Sequence, residues 1–220
     1  MSSKRLPGKV LHKIKGIPLL GLILDRIKYC KVDDVVVLTS NEKSDNIIEK
    51  FCHDSSIKCF RGDLLNVASR FYKVLKKYPC NAFVRINGDS PLIDHNLINK
   101  GIELFKKGNY DIVTNVLFRT YPKGQSVEVV KSSTFINSYN DFTLKEDIEH
   151  VTKFFYKNSK NNKILNFKSK KSFGDIQLSV DTKDDLKIIC NIFHKMTKKH
   201  HEYNYLDILN IYEDICCEKT

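Results

Sequence analysis

Ala82-Phe83-Val84-Arg85-Ile86-Asn87-Gly88-Asp89-Ser90-Pro91-Leu92-Ile93-Asp94 runs straight into residues 95–107, whose apolar side chains recur at helical spacing. Residues 82–86 form a short apolar run of the kind that fills a parallel sheet, Gly88-Asp89 supplies a turn, and Asp94 is placed to cap the helix. Strand, turn and helix in that order predict a crossover unit. Asp89 then stands at the carboxyl end of a strand, where open α/β sheets bind their ligands.

Residues 35–39 and 111–115 read as further strands buried on both faces, and helical spacing recurs over 18–29, 43–53 and 64–78. The alternation predicts an α/β fold: an open, mostly parallel sheet with helices on both faces and right-handed crossovers. From about Tyr121 the pattern changes to a Pro/Gly turn, a short strand at 127–130 and a helix near 146–157. This stretch reads as an inserted arm, about 119–160, on a single domain spanning 1–220. The chain is expected to return to the sheet at 177–180, followed by helices near 183–193 and 205–216.

The chain has 220 residues, 41% hydrophobic and 29% charged, which suits a globular core and excludes a disordered chain. A net charge of +11 would attract nucleic acid, an anionic membrane surface or a phosphorylated substrate. The same excess of Lys, beside much Asn, Ile and Tyr, also arises from genomic base composition alone. No long basic run interleaved with aromatics is present, which argues against nucleic acid. Seven cysteines, odd in number and without a C-x-x-C pair to suggest zinc, fit a reduced, cytoplasmic compartment. The longest apolar stretch, 17–24, is broken by Pro18 and Gly21 and is too short to span a bilayer, so no membrane partner is expected. The polar, basic start lacks the apolar core of a secretory signal.

Ser2-Ser3-Lys4-Arg5-Leu6-Pro7-Gly8-Lys9 gathers hydroxyls, cations and a glycine turn that could donate to a polyphosphate. It is not a Walker A loop, since no Gly lies five residues before Gly8 and Val10 replaces the required Ser or Thr; a loose basic terminus is the plainer alternative. Asp89 can hold magnesium, whose hard charge prefers oxygen, or can simply occupy a turn. Ser179-Val180-Asp181-Thr182 repeats the arrangement at a second predicted strand end, where Asp181 or Thr182 would also serve as a helix cap. Two carboxylates from different strand ends could share one ion. Arg61-Gly62-Asp63 and Arg70 set cations at a strand end and on the next helix, suited to a base or phosphate, or to an ordinary surface. Glu149-His150-Val151-Thr152 offers a carboxylate, an imidazole and a hydroxyl for a polyol, or an ordinary amphipathic helix. His200-His201 has no carboxylate or cysteine at ligand spacing and is expected to face solvent.

Taken together, SSKRLPGKVL, FRGD with VASRFY, VRINGDSPLID, YDIVTN with RTYPKGQSVEVV, EDIEHVT and SVDTKDDL resemble, in order, the sugar cytidylyltransferases of the spore coat polysaccharide biosynthesis type. These are relatives of the CMP-ketodeoxyoctulosonate and CMP-sialate synthetases. The resemblance implies a magnesium-dependent transfer of CMP from CTP to a sugar, such as an acidic ketose, with release of pyrophosphate. It implies that Ser3, Arg5 and Lys9 belong to the phosphate loop, that Arg61 and Arg70 help seat the nucleotide, and that Asp89 and Asp181 bind the metal. It further implies that Arg119, Tyr121, Gln125, Glu128, Glu149 and His150 build the acceptor pocket, and that the arm packs against a second subunit in a homodimer. Members of that family begin with an apolar strand leading into the phosphate loop. Met1 falls where that strand has already ended, so a central strand is expected to be missing. The alternative function is a truncated, catalytically impaired sugar-nucleotide binding protein.

Overall fold

The computed structural model describes residues 5–218. A small hairpin comes first, β1 (Lys13–Ile14) with β2 (Ile17–Pro18), closed through Lys15 and Gly16 at φ 48° and 82°, the positive angles that a two-residue turn between strands requires. Helix α1 (Leu19–Ile27) follows, then β3 (Val36–Ser40), α2 (Asn46–Asp54), β4 (Lys58–Gly62), α3 (Val67–Lys77), β5 (Ala82–Arg85), α4 (His95–Lys107) and β6 (Ile112–Thr114). The second half contains β7 (Glu128–Lys131), α5 (Ser132–Ser138), α6 (Lys145–His150), α7 (Lys153–Lys157), β8 (Ile164–Asn166), α8 (Lys183–Lys195) and α9 (Tyr205–Cys217).

The expected α/β architecture is present, with a mixed sheet. β3 and β4 pair in parallel, and β5, β7, β6 and β8 form a second sheet in that order. β7 alone runs against its neighbours, antiparallel to both β5 and β6, while β8 is parallel to β6. The reversal follows from the loop between β6 and β7. Asn115 donates its Nδ2 to the Gln125 carbonyl at 2.8 Å and accepts the Val127 N–H at 2.9 Å, folding the chain back on itself. Residues 128–131 of the region read as an inserted arm therefore lie in the middle of a sheet, while α5, α6 and α7 pack beside α3.

Helices cover both faces. Ile23, Leu97, Ile98 and Ile102 lie against Val84, Val113 and Val129 on one face, and Ala68, Leu75, Phe135 and Phe155 lie against Leu38, Phe83 and Val130 on the other. α1 spans the two sheets, with Leu20 and Leu24 near Val37 and Ile23 near Val84. α8 and α9 close a further core with Leu19, Leu22, Leu178 and Val180. Among the described residues, β3 pairs only with β4 and β5 only with β7. Ile112–Thr114 is fully buried as expected, but Val36–Leu38 and Ala82–Arg85 are only half-buried, because each of these strands is an edge.

Three other expectations need correction. Residues 177–180 do not form a strand; they make one parallel bridge, Gln177 with Lys123, and otherwise run as extended chain. The helix expected over 146–157 is broken at Val151, whose φ of 60° is costly for a β-branched residue. His200 and His201 are mostly buried, and both face Asp25. No helix among the described residues is long and apolar enough to cross a membrane.

Candidate active site

β5 ends at Arg85, and the chain turns through Gly88 and Asp89 before Asp94 caps α4 by accepting the Asn96 N–H at 2.8 Å. The cap role of Asp94 is as expected. Across from this turn, Val180 donates its N–H to the Asp89 carbonyl at 2.8 Å. Thr182, not Asp181, caps α8 through a reciprocal box with Asp185, which leaves the Asp181 carboxylate free of that duty. The loop of Asp181 is seated by the approach of Gly124 to Leu178. A Cβ on Gly124 would lie 2.6 Å from the Leu178 carbonyl carbon, and its φ of 95° is itself open to glycine and few others.

The two carboxylates converge on one cation. Lys9 donates its ammonium to Asp89 Oδ2 at 2.8 Å, to Asp181 Oδ1 at 3.0 Å and to the Val180 carbonyl at 3.0 Å. Burial works to lower the Lys9 pKa, but the hydrogen bonds and charges of Asp89 and Asp181 outweigh it and raise the value above that of an ordinary lysine. Arg5 adds a second, more exposed cation 3.3 Å from Asp181 Oδ1. Gly8, at φ 69°, turns the chain into the short 3-10 helix Lys9–Leu11 that aims the lysine inward. Ser3 lies outside the described residues.

The expected nucleotide cations differ from one another. Arg61 is committed to the scaffold, donating to the Ser40 and Glu42 carbonyls at 2.9 Å each and to Glu49 at 2.7 Å. Arg70 lies over Gly62, and its buried Nε has no hydrogen-bond partner; burial lowers its pKa. That guanidinium retains unused donor capacity.

Glu128, 2% exposed, sits opposite Arg85 and Thr114 in the β-ladder, at the same end of the sheet as Asp89. Arg85 donates to its Oε2 at 2.6 Å, while Thr152 and Tyr156 donate to its Oε1 at 2.7 and 2.5 Å. Glu149 and His150 are exposed and closely precede Thr152 in the chain. Arg119 donates to Ser126 Oγ at 3.1 Å and keeps a buried NH1 without a partner. Tyr121 and Gln125 are buried and serve the scaffold: Tyr121 donates to the Lys168 carbonyl, and Gln125 bridges the Leu92 carbonyl and the Asp94 N–H. Arg85 and Tyr156 had no assigned role in the sequence, because the register that sets Arg85 opposite Glu128 depends on the unforeseen position of β7.

A shallow hollow of about 320 Å³, lined by Cys80, Asn81 and Tyr110 among others, lies at the other end of β5 and contains none of these groups. Hard carboxylates gathered on a single positive charge fit a magnesium ion by donor type and by convergence. Asp25, His200 and His201 form a separate group able to hold a metal ion.

A protein-family model described as cytidylyltransferase matches residues 1–214. The chain is 33% identical over 214 residues to the uncharacterized protein MJ1063 of Methanocaldococcus jannaschii, covering 95% of this chain and 84% of that protein. It is 29% identical over 205 residues to the spore coat polysaccharide biosynthesis protein SpsF of Bacillus subtilis, covering 89% and 83%. Among solved structures it is similar to a cytidylyltransferase from Leptospira borgpetersenii, with a TM-score of 0.91, 25% identity and coverage of 99% and 92%.

Proposed function

Because this chain belongs to the cytidylyltransferase family, we propose that it transfers CMP from CTP to a sugar hydroxyl, releasing pyrophosphate, in surface polysaccharide biosynthesis. The observation that carries this reading is the meeting of Asp89, in the turn after β5, with Asp181 and Lys9. A sugar of the acidic ketose class suits the cations nearby.

In this reading Asp89 and Asp181 hold magnesium, which when bound supplies positive charge to the triphosphate. Lys9 and Arg5 turn from the carboxylates toward the phosphates and offset the charge that grows on departing pyrophosphate as the sugar oxygen attacks the α-phosphorus. No covalent enzyme intermediate is needed; positioning and electrostatics carry the rate. Arg70, with its unused buried donor, is proposed to meet the nucleotide. Arg119, Glu149 and His150 are proposed to contact the acceptor, with Glu128 and Thr152 holding that wall in place and Tyr121 and Gln125 supporting it from behind. The helices α5–α7 are proposed as the surface of a homodimer, a reading supported by the exposed Leu144 at their edge.

The test is pyrophosphate release with magnesium, each of the four nucleoside triphosphates and a panel of acidic ketoses and related sugars. CTP alone should support release, and only with an acceptor. Equal release from all four nucleotides, or none with any acceptor, would overturn the reading.

A further inference from the structure

At the end of α1, away from the acidic pair, two imidazoles and a carboxylate meet across 175 residues of sequence. His200 Nε2 lies 2.8 Å from Asp25 Oδ2, and His201 Nδ1 lies 3.7 Å from the same oxygen. One ligand atom from each of the three residues can be chosen so that all lie within 4.8 Å of one another. A tetrahedral zinc ion with ligands at 2.0 to 2.2 Å sets its donors about 3.4 Å apart. The two separations from Asp25 bracket that value and the third is at most 4.8 Å, so side-chain shifts on the order of 1 Å would close the site.

The surroundings select the same atom of His201. His201 Nδ1 is buried and has no hydrogen-bond partner, while its Nε2 lies 3.0 Å from the Tyr29 hydroxyl. A proton on Nε2, donated to Tyr29, leaves the Nδ1 lone pair directed at the cluster, which is how an outer hydrogen bond fixes a ligand imidazole. Tyr29 also stacks on His201, with ring centroids 4.4 Å apart. The backbone that presents the histidines is held by Arg26, fully buried, which donates to the carbonyls of Ile93, His200 and Tyr203. Two nitrogens and one oxygen favour a borderline transition ion and disfavour magnesium, which takes oxygen almost alone.

We propose that Asp25, His200 and His201 form a second, zinc-class metal site that clips α1 to the segment leading into α9. It is distinct in place and in donor chemistry from the carboxylates of Asp89 and Asp181. Three protein ligands leave one coordination position to water.

The experiment titrates the chelator-treated full-length protein with Co²⁺ and follows visible absorption, then adds Zn²⁺. One equivalent should give the intense bands of a tetrahedral nitrogen–oxygen site, displaced by Zn²⁺, with a rise in thermal midpoint. His201→Gln and Asp25→Asn should abolish the bands, Tyr29→Phe should weaken Co²⁺ binding roughly tenfold, and Asp89→Asn should leave the bands intact. If His201→Gln does not fold, Asp25→Asn and Tyr29→Phe decide the matter. Absent or weak bands in the unaltered protein, or bands lost in Asp89→Asn and kept in Asp25→Asn, would overturn the proposal.

Discussion

Val180 donates its backbone N–H to the carbonyl of Asp89 at 2.8 Å, and this single bond joins the two loops that carry the acidic side chains. The bond is main-chain to main-chain, so it does not depend on either carboxylate. Asp89→Asn and Asp181→Asn should therefore leave the fold and thermal midpoint nearly unchanged while reducing magnesium-dependent turnover to background. Steady-state pyrophosphate release paired with thermal unfolding checks this. Full turnover in either variant would remove that residue from the site.

Lys9 competes with any metal for the same oxygens, since its ammonium contacts both carboxylates. Lys9→Met should bind Mn²⁺ more tightly than the unaltered protein when no nucleotide is present, as followed by electron paramagnetic resonance. The same variant should lose roughly 10²- to 10³-fold in turnover with CTP, the cost of a missing preorganised charge. Unchanged or weaker Mn²⁺ binding would show that the lysine does not occupy the ion's place.

Glu128 accepts hydrogen bonds from Arg85, Thr152 and Tyr156 while almost fully buried. Glu128→Ala strands a half-buried guanidinium and two hydroxyls, and should cost about 3–5 kcal/mol in denaturant unfolding, the range for breaking a buried ion pair. Glu128→Gln keeps an acceptor for Tyr156 and Thr152 and should cost clearly less. Equal losses would mean that volume, not hydrogen bonding, matters there.

Gly124→Ala should destabilise the protein by roughly 2 kcal/mol or more, through a positive φ and a clash with the main chain at Leu178. The loop of Asp181 rests on that contact, so turnover should fall further than the lost stability alone accounts for. A variant with unaltered midpoint and turnover would separate this contact from the site.

The strand–turn–helix unit around Asp89 was legible because each step is local: an apolar run, a glycine turn, a capping aspartate and a helix whose observed span, His95–Lys107, matches its periodicity. Asp181 was placed from a strand that does not form, and it reaches Asp89 through Lys9 from an extended segment instead. Lys58–Gly62 was read only by its end, through Arg61-Gly62 ahead of the helix that carries Arg70, because Lys58, Arg61 and Gly62 dilute the apolar signal of an edge strand to two residues. β7 was read as a strand but not located, since nothing local says that a strand will pair antiparallel between two others. His200 and His201 were misread because their carboxylate, Asp25, is distant in sequence, and spacing rules see only near neighbours.

The edge positions of β3 and β5 bear on how the protein breathes. In each strand alternate amides point toward the edge that no described strand covers, whereas β7 is paired along both sides. Deuterium uptake should therefore alternate along Val36–Ser40 and Ala82–Arg85, one amide slow and the next fast, and be uniformly slow across Glu128–Lys131. The turn that carries Asp89 follows directly from one of these half-protected strands. Its position is thus set by the end of an edge strand of the four-stranded sheet, and a nucleotide drawing Lys9 away from Asp89 would register as a change in exchange at Arg85.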